Sequence, residues 1–203
     1  KPILLDELKV ILKRVLGTRR LKKEVELLRE KELENHVFHG VVGKSPQMKD
    51  IFKEAQKIAG KGLNVLITGE TGVGKEEVAK LIHVLSKRTG EFVVVNCASI
   101  PDNLLESELF GYEKGAFTGA TQQKAGKFEV AHGGSIVLDE IGEMSPYLQA
   151  KLLRVVEKQE IEHLGSTKTA RVDIHVISTT NRVLEQEIQE GKFREDLFFR
   201  LSQ

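Results

Sequence analysis

The sequence predicts an α/β fold in which a parallel sheet is covered by helices on both faces. Four short apolar runs of strand length recur between residues 63 and 181, and amphipathic stretches with helical spacing separate them. The runs are apolar at nearly every position, which is typical of strands that are buried on both faces of a parallel sheet. The alternation of strands and helices is what consecutive parallel strands require.

The predicted elements follow one another without an internal repeat or a low-complexity tract. The predicted strands are the runs LNVLITG (residues 63–69), EFVVVNC (91–97), SIVLDE (135–140) and VDIHVISTTN (172–181). The predicted helices are Lys75–Ser86, Pro146–Lys158 and Val183–Glu190.

The N-terminal segment carries two helical patterns that are out of register with each other. Apolar residues recur at helical spacing between Pro2 and Gly17, which suit the start and the end of a helix. A second apolar stripe lies in the highly charged residues 18–34. Two interpretations of it are open, a solvated linker helix and a short dimeric coiled coil. We therefore predict three segments: a helix over residues 1–16, a linker over residues 17–37 and the α/β domain over residues 38–203.

The composition excludes several classes of protein. The 31 basic and 30 acidic residues nearly balance, so bulk charge predicts no affinity for nucleic acid. Cys97 is the single cysteine, so no internal disulfide is possible and a reducing cytoplasm is expected. No apolar run approaches the roughly 18 residues of a membrane span, and we expect no membrane association. The chain starts at Lys1 and is expected to be a fragment.

The segment GETGVGKE follows the first predicted strand and opens a predicted helix. Its spacing from Gly69 to Gly74 and Lys75 is that of a phosphate-binding loop. Glycines let backbone N–H groups turn inward around phosphate oxygens, while the helix N-terminus and the lysine add positive charge. The candidate nucleotide-binding residues are Gly69, Glu70, Thr71, Gly72, Val73, Gly74, Lys75 and Glu76.

Glu76 departs from the usual pattern, in which a serine or threonine at this position binds magnesium. A carboxylate there could hold the metal directly, hold it through water, or face away from it. The motif therefore predicts nucleotide binding more strongly than it predicts where the metal lies.

Two adjacent carboxylates end the third predicted strand. Asp139 and Glu140 follow the apolar run SIVL, at the strand end where open α/β sheets bind their ligands. We expect Asp139 to contribute to the nucleotide site as a ligand of Mg²⁺. Glu140 is the candidate general base that orients and deprotonates the attacking water.

Asparagines end two other predicted strands at the same edge of the sheet. Asn181 follows the fourth strand and could position the attacking water. Asn96 ends the second strand and could pair with Glu140, holding that carboxylate inactive. A capping or turn asparagine is the alternative for each.

The stretch GYEKGAFTGA, residues 111–120, places a phenylalanine among glycines where neither helical nor strand periodicity explains it. Gly111, Gly115 and Gly119 allow the chain to fold back sharply, so that Phe117 lies at a loop tip. An aromatic side chain left in water suggests a partner surface. The alternative is that Phe117 packs against its own domain.

Taken together, these motifs resemble the central ATPase domain of the sigma-54-dependent transcriptional activators, the bacterial enhancer-binding proteins of the AAA+ class. The resemblance spans most of residues 40–203. It is carried by the segments GETGVGKE, VNCASIPDNLLESELFGYEKGAFTGA, GGSIVLDEIGEMS, LQAKLLRVVE, STTN and GKFREDLFFRL. The motif GAFTGA is close to diagnostic of that class, and Glu76 also agrees with it.

The resemblance implies an ATPase that uses ATP and Mg²⁺ and remodels sigma-54 RNA polymerase holoenzyme. Such proteins form hexameric or heptameric rings with ATP between subunits, and Arg194 and Arg200 match their arginine fingers. A guanidinium offers permanent planar charge to the γ-phosphate. The loop that contacts sigma-54 in these proteins corresponds here to Gly115, Ala116, Phe117, Thr118, Gly119 and Ala120.

The N-terminal residues resemble the end of a response-regulator receiver domain. On that reading residues 1–16 are its final helix, Lys1 is the lysine that contacts the phosphorylated aspartate, and the linker dimerises the inactive form. Phosphorylation of the receiver would then control the ATPase. The helical lid that follows the ATPase core in this family, and the domain that binds DNA, are expected to lie outside the chain.

Two other functions remain open at this stage. A generic AAA+ unfoldase or clamp loader would share the nucleotide site but would need a different substrate-gripping loop. A nucleotide-gated interaction module would bind ATP without turnover. The presence of Glu140, Asn181 and the two candidate finger arginines argues against it.

Overall fold

The structure, a computed structural model, describes residues 37–38, 41–42 and 45–202. The predicted N-terminal helix (residues 1–16) and nearly all of the predicted linker therefore lie outside the described residues. Contacts divide the chain after Phe52 into two compact units. In the first, β1 (Val37–Phe38) pairs antiparallel with β2 (Val41–Val42). Helix α1 covers Pro46–Ala59.

The second unit contains the α/β fold. Its strands are β3 (Val65–Thr68), β4 (Phe92–Asn96), β5 (Gly111–Tyr112), β6 (Lys124–Ala125), β7 (Ser135–Asp139), β8 (Glu160–Glu162), β9 (Thr169–Arg171) and β10 (His175–Thr180). Its helices are α2 (Lys75–Ser86), α3 (Asp102–Phe110), α4 (Lys127–Val130), α5 (Pro146–Lys158), α6 (Leu184–Gln189) and α7 (Glu195–Leu201), with a 3₁₀ turn at Ile141–Glu143.

All four predicted strands are present and form one parallel sheet in the order β3-β10-β7-β4. The predicted parallel sheet flanked by helices is thereby confirmed. Because the strands are parallel, their carboxyl ends meet at one edge, where Thr68 lies opposite Thr180 and Asn96 lies opposite Asp139. This edge brings together the side chains that the sequence placed at strand ends.

The hydrophobic core is built around the central strand β7. Ile136, Val137 and Leu138 are completely buried, as expected for a strand that is covered on both faces. Helix α5 contributes Leu148 and Leu152 to the same core. None of the helices among residues 45–202 combines the length and the apolar character that crossing a lipid bilayer requires.

The structure contains elements that the sequence patterns did not predict. Helices α1 and α3 and the hairpin of β8 and β9 are the largest of these. The hairpin strands are three residues long, so they carry too few alternations to be recognised. The fourth strand also begins at His175 rather than at Val172, since the backbone N–H of Val172 donates to Gln159, beside β8.

Candidate functional site

The loop Gly69–Gly74 connects β3 to α2 at the carboxyl edge of the sheet. Gly72 and Gly74 have φ angles of 83° and 91°, which side chains other than glycine rarely adopt. Apart from the adjoining residues of the chain, no atom of the described residues lies within 4 Å of where a Cβ at either glycine would be. The loop therefore leaves room for a ligand next to the backbone, in front of the first turn of α2.

Lys75, the first residue of α2, is buried and turns its ammonium back over this loop. Its Nζ donates to the carbonyl oxygens of Gly69 and Glu70, at 2.9 and 3.1 Å. The same nitrogen lies 3.7 Å from Oε1 of Glu140. The lysine thus joins the candidate phosphate loop to the candidate base.

Glu140 has a left-handed backbone conformation, with φ of 52°. This conformation costs a non-glycine residue roughly 1–2 kcal/mol. It occurs directly after β7, where the chain turns into the 3₁₀ helix, and the Oε2 of Glu140 accepts a hydrogen bond of 3.2 Å from the backbone N–H of Asn181. Strained positions of this kind are concentrated at functional sites.

Asn181 connects two parts of the site, the candidate base and the glycine loop. Besides its backbone bond to Glu140, its side-chain amide donates to Oγ1 of Thr71 in the glycine loop, at 3.0 Å. Strand β10, which ends one residue earlier, lies between β3 and β7. Asn181, like Lys75, therefore lies between the phosphate loop and Glu140.

Asn96 contacts Asp139 and not Glu140 in this structure. Its Nδ2 donates to Oδ2 of Asp139 at 2.8 Å, while its Oδ1 accepts the N–H groups of Ala98 and Ser99, both at 3.0 Å. The expected pairing of Asn96 with Glu140 is thus replaced by one with the neighbouring carboxylate. The strand register explains the difference, because Asn96 lies directly opposite Asp139.

The chemistry of these groups fits a nucleotide and a hard cation. The hydroxyl of Thr179 and the amide of Asn96 donate to opposite oxygens of Asp139, which orients its carboxylate at the strand end. Carboxylate oxygens are the protein ligands that Mg²⁺ prefers. Glu76 is exposed in the first turn of α2.

Cys97 lies beside the carboxylates without the properties of a reactive thiol. Burial, followed by the charges of Asp139 and Glu140, raises its pKa to about 12. The thiol is therefore protonated at neutral pH and behaves as a small core side chain.

The stretch Gly111–Ala120 leaves the domain between β4 and β7, as predicted, and its neck is closed by two glycines. A Cβ on Gly111 would lie 2.5 Å from the carbonyl oxygen of Lys124, and one on Gly126 would lie 2.5 Å from that of Leu109. Beyond the neck, the backbone N–H of Gly115 donates to Ala120 at 2.9 Å. The loop is therefore a compact turn on a narrow base.

Phe117 lies between the two alternatives that the sequence left open. Its side chain is 45% exposed, while its ring packs edge-on against Tyr112 with a centroid distance of 4.9 Å. Thr118 and Gly119 are exposed beside it, whereas Ala116 is half-buried and Ala120 buried. The tip thus exposes part of an aromatic ring and a threonine to solvent.

Comparison with known proteins identifies the family. The family model described as the sigma-54 interaction domain matches residues 41–203. The chain belongs to this family.

Individual regulatory proteins are similar to this member of the sigma-54 interaction domain family over most or all of its length. The regulatory protein AtoC of Escherichia coli strain K12 is 49% identical over all 203 residues, which are 44% of its own length. A Nif-specific regulatory protein of Azotobacter vinelandii is 52% identical over 163 residues, 80% of this chain and 31% of that protein. The chain thus spans less than half the length of these relatives.

Solved structures agree with the AAA+ fold. A crystal structure of NtrX from Brucella abortus in complex with ATP has a TM-score of 0.74 and 41% identity. It is matched over the whole of this chain and 42% of its own. The crystal structure of the same protein in complex with ADP has a TM-score of 0.73.

The two candidate finger arginines of this domain lie on the surface around α7. Arg194 precedes the helix with an extended backbone, and Arg200 lies in its last turn. Arg194 forms two hydrogen bonds with Asp196, and Nε of Arg200 donates to Glu157 at 3.0 Å. Both guanidinium groups are about half exposed.

The sequence did not indicate which residues contact the base of the GAFTGA loop (Gly115–Ala120) of this domain. The turn between β8 and β9 lies beside the loop, where the N–H of Glu113 donates to Leu164 and that of Leu164 donates to Gly111, both at 3.0 Å. A Cβ on Gly165 would lie 2.9 Å from that of Ala116. The glycine in HLGS was the available signal, but nothing in the sequence said what the turn would meet.

Proposed function

We propose that the chain is the ATP-hydrolysing part of a transcriptional activator that remodels sigma-54 RNA polymerase holoenzyme. Family membership supports the sigma-54 part of this proposal. The observation that carries the ATPase part is Asn181, which bonds to Glu140 and to Thr71 and so links the candidate base to the phosphate loop.

In this proposal the phosphates of ATP are held by the backbone N–H groups of residues 69–76 and by Lys75. The helix N-terminus of α2 favours negative charge at this point. Lys75 exchanges its backbone carbonyl partners for phosphate oxygens, which requires only a movement of its flexible side chain.

Asp139 would hold Mg²⁺, with Glu76 as a candidate outer partner. The ion would supply charge neutralisation between the β- and γ-phosphates. Asn96 and Thr179 fix the orientation of the Asp139 carboxylate, because each donates a hydrogen bond to one of its oxygens.

Glu140 takes the proton of the attacking water, and Asn181 positions that water. A general base at this point contributes about 10²–10⁴ in rate. Arg194 and Arg200 act at the site of a neighbouring subunit, where a guanidinium stabilises the transition-state charge. The active form is then a hexameric or heptameric ring and the inactive form a dimer.

The remaining parts of the proposed protein lie outside the described residues or outside the chain. An upstream receiver domain controls the ATPase through phosphorylation, and a further domain binds DNA. The protein acts in the cytoplasm, where its partner holoenzyme is found.

The proposed partner surface is Gly115–Ala120, with Phe117 and Thr118 at its tip. We test it with Phe117→Ala and Thr118→Ala. Both variants should hydrolyse ATP within a few-fold of the wild type, because neither side chain forms a hydrogen bond with the phosphate loop within the part of the chain that the structure describes. Both should fail to capture sigma-54 in the presence of a transition-state mimic of ATP.

Tyr147→Ala is the matched control. Tyr147 is 59% exposed on α5, so its substitution removes a similar aromatic surface. It should capture sigma-54 normally. Normal capture by the Phe117 variant would show that the loop is structural and would refute its assignment as the partner surface.

A further inference from the structure

His163, in the turn between β8 and β9, lies between two carboxylates at the base of the GAFTGA loop. Its Nδ1 is 3.1 Å from Oε1 of Glu113, which leads into the loop. Its Nε2 is 2.6 Å from Oε1 of Glu129, which lies on α4. The imidazole is only 11% exposed, so water competes weakly for either nitrogen.

With both carboxylates ionised, these two contacts are satisfied together only by a charged ring. A neutral imidazole has one N–H donor and one lone pair, whereas an ionised carboxylate only accepts hydrogen bonds. A neutral His163 would therefore direct a lone pair at one of the two carboxylate oxygens. The imidazolium donates to both, and such charge-assisted bonds are about twice as strong as neutral ones.

The surroundings of the ring are consistent with a proton that is held but can be released. Burial lowers the pKa of His163, but the hydrogen bonds and charges of Glu129 and Glu113 outweigh it, so the pKa is raised. Gln123 also donates to Glu113 at 3.3 Å, and the N–H of Gly126 donates to Glu129 at 3.0 Å. On its own element, the neighbouring Glu162 pairs with Arg154.

We propose that His163, as an imidazolium between Glu113 and Glu129, is a positioning residue that holds the base of the GAFTGA loop in place for its partner. The inference rests on the proposed function, because it assumes that the loop captures sigma-54. We call His163 with its two carboxylates the latch. Glu113 directly follows Tyr112, against whose ring Phe117 packs, so the latch holds the residue next to the one that contacts the loop tip. Loss of the proton loosens the loop, and binding then has to order it at an entropic cost.

Three forms of the protein test this over pH 6.0–8.5, with capture of sigma-54 measured in the presence of a transition-state mimic of ATP. In the wild type, capture should weaken by roughly 3–10-fold as pH rises through the pKa of His163, because the imidazolium is lost. His163→Arg carries a permanent cation and should bind well at every pH. His163→Gln should bind weakly at every pH, and all three should keep their ATP turnover within a few-fold.

A readout that needs no partner separates this inference from the proposed function. The chain has no tryptophan, so Phe117→Trp introduces a single tryptophan at the loop tip, whose emission can be excited selectively. Its emission should change with pH when His163 is present. In the double variant that also carries His163→Gln, the emission should not change with pH.

Wild-type capture that does not vary with pH, or a pH dependence that persists in His163→Gln, would overturn the latch. Absence of wild-type capture at every pH would instead refute the proposed function, while the emission of the reporter would still decide whether the latch exists.

Discussion

The side-chain amide of Asn96 donates a hydrogen bond of 2.8 Å to Asp139, across the carboxyl ends of β4 and β7. Glu140, the next residue, is left to contact Lys75 and the backbone of Asn181. The proposed metal ligand and the proposed base thus have different partners, although they are adjacent in sequence. Their roles should therefore be separable by mutation.

Glu140→Gln should bind ATP but hydrolyse it about 10²–10⁴-fold more slowly, because an amide cannot accept the proton of the attacking water. Lys75→Ala should instead weaken nucleotide binding itself, since it removes the charge next to the phosphate loop. Equilibrium binding of a fluorescent ATP analogue and steady-state phosphate release distinguish the two effects.

Glu185→Gln is a suitable control, because Glu185 is an exposed carboxylate on α6. It should leave both measurements unchanged. Wild-type turnover in Glu140→Gln would remove Glu140 from the mechanism.

Arg194→Ala and Arg200→Ala should each bind ATP and hydrolyse it poorly, if these arginines stabilise the transition state in a neighbouring subunit. An arginine finger is worth roughly 10³–10⁵ in rate. Turnover per wild-type molecule should also rise with protein concentration, because each site is completed by assembly.

Mixed rings provide the control for a folding defect. Combining a finger variant with Glu140→Gln pairs some intact bases with intact fingers, so part of the activity should return. Co-assembled mixtures that recover nothing would count against sites shared between subunits.

Gly165→Ala should impair capture of sigma-54 without affecting ATP binding. Gly165 has a φ of 78°, and an added Cβ would lie only 2.9 Å from that of Ala116. The substitution should therefore displace the GAFTGA loop. The left-handed backbone alone costs roughly 1–2 kcal/mol for alanine. Gly191→Ala separates the two effects, because Gly191 has a φ of 70° and nothing within 4 Å of the new Cβ.

Both glycine variants should lose the free energy of unfolding that the left-handed backbone costs, measured in urea, and Gly165→Ala should lose at least as much as Gly191→Ala because of its added contact with Ala116. Capture should fail only in Gly165→Ala. Equal capture by the two variants would show that the turn between β8 and β9 does not support the loop.

Acidification should destabilise the fold through His83 and His175. Burial, and then the charge of Arg88, lowers the pKa of His83. Burial also lowers the pKa of His175. This effect outweighs that of the hydrogen bond between its ring and the Leu63 carbonyl oxygen, which acts to raise the pKa. Because the unfolded chain takes up these protons first, stability should fall as pH drops below about 6.5, towards the lower pKa values of the folded state.

His163 acts in the opposite direction, since its raised pKa adds stability at low pH that is lost as pH rises through its folded value. Thermal unfolding of the His163→Gln variant isolates the effect of His83 and His175. Its Tm should be a few degrees lower at pH 5.0 than at pH 7.5. In that background His175→Gln, whose amide can still donate to Leu63, should reduce the fall. A Tm that is independent of pH would contradict the assignment.

Much of the fold followed from local pattern. Near-continuous apolar runs such as the one in SIVLDE (residues 135–140) indicated strands buried on both faces, and this one is observed as Ser135–Asp139. The helices Lys75–Ser86 and Pro146–Lys158 were predicted with their observed bounds. The hairpin of β8 and β9 was not predictable, because its short strands are stabilised by pairing with each other and not by their own periodicity.

By itself the sequence determined the α/β class, the loop that begins at Gly69, the strand-end carboxylates and the unusual stretch around Phe117. These are local properties, set by spacing and by the conformations that glycine and apolar residues favour. Only the tertiary structure decided that Asn96 meets Asp139 and that His163 meets Glu113 and Glu129. Such contacts depend on strand register and on turns that pack together from distant parts of the chain, and neither is encoded in any short segment.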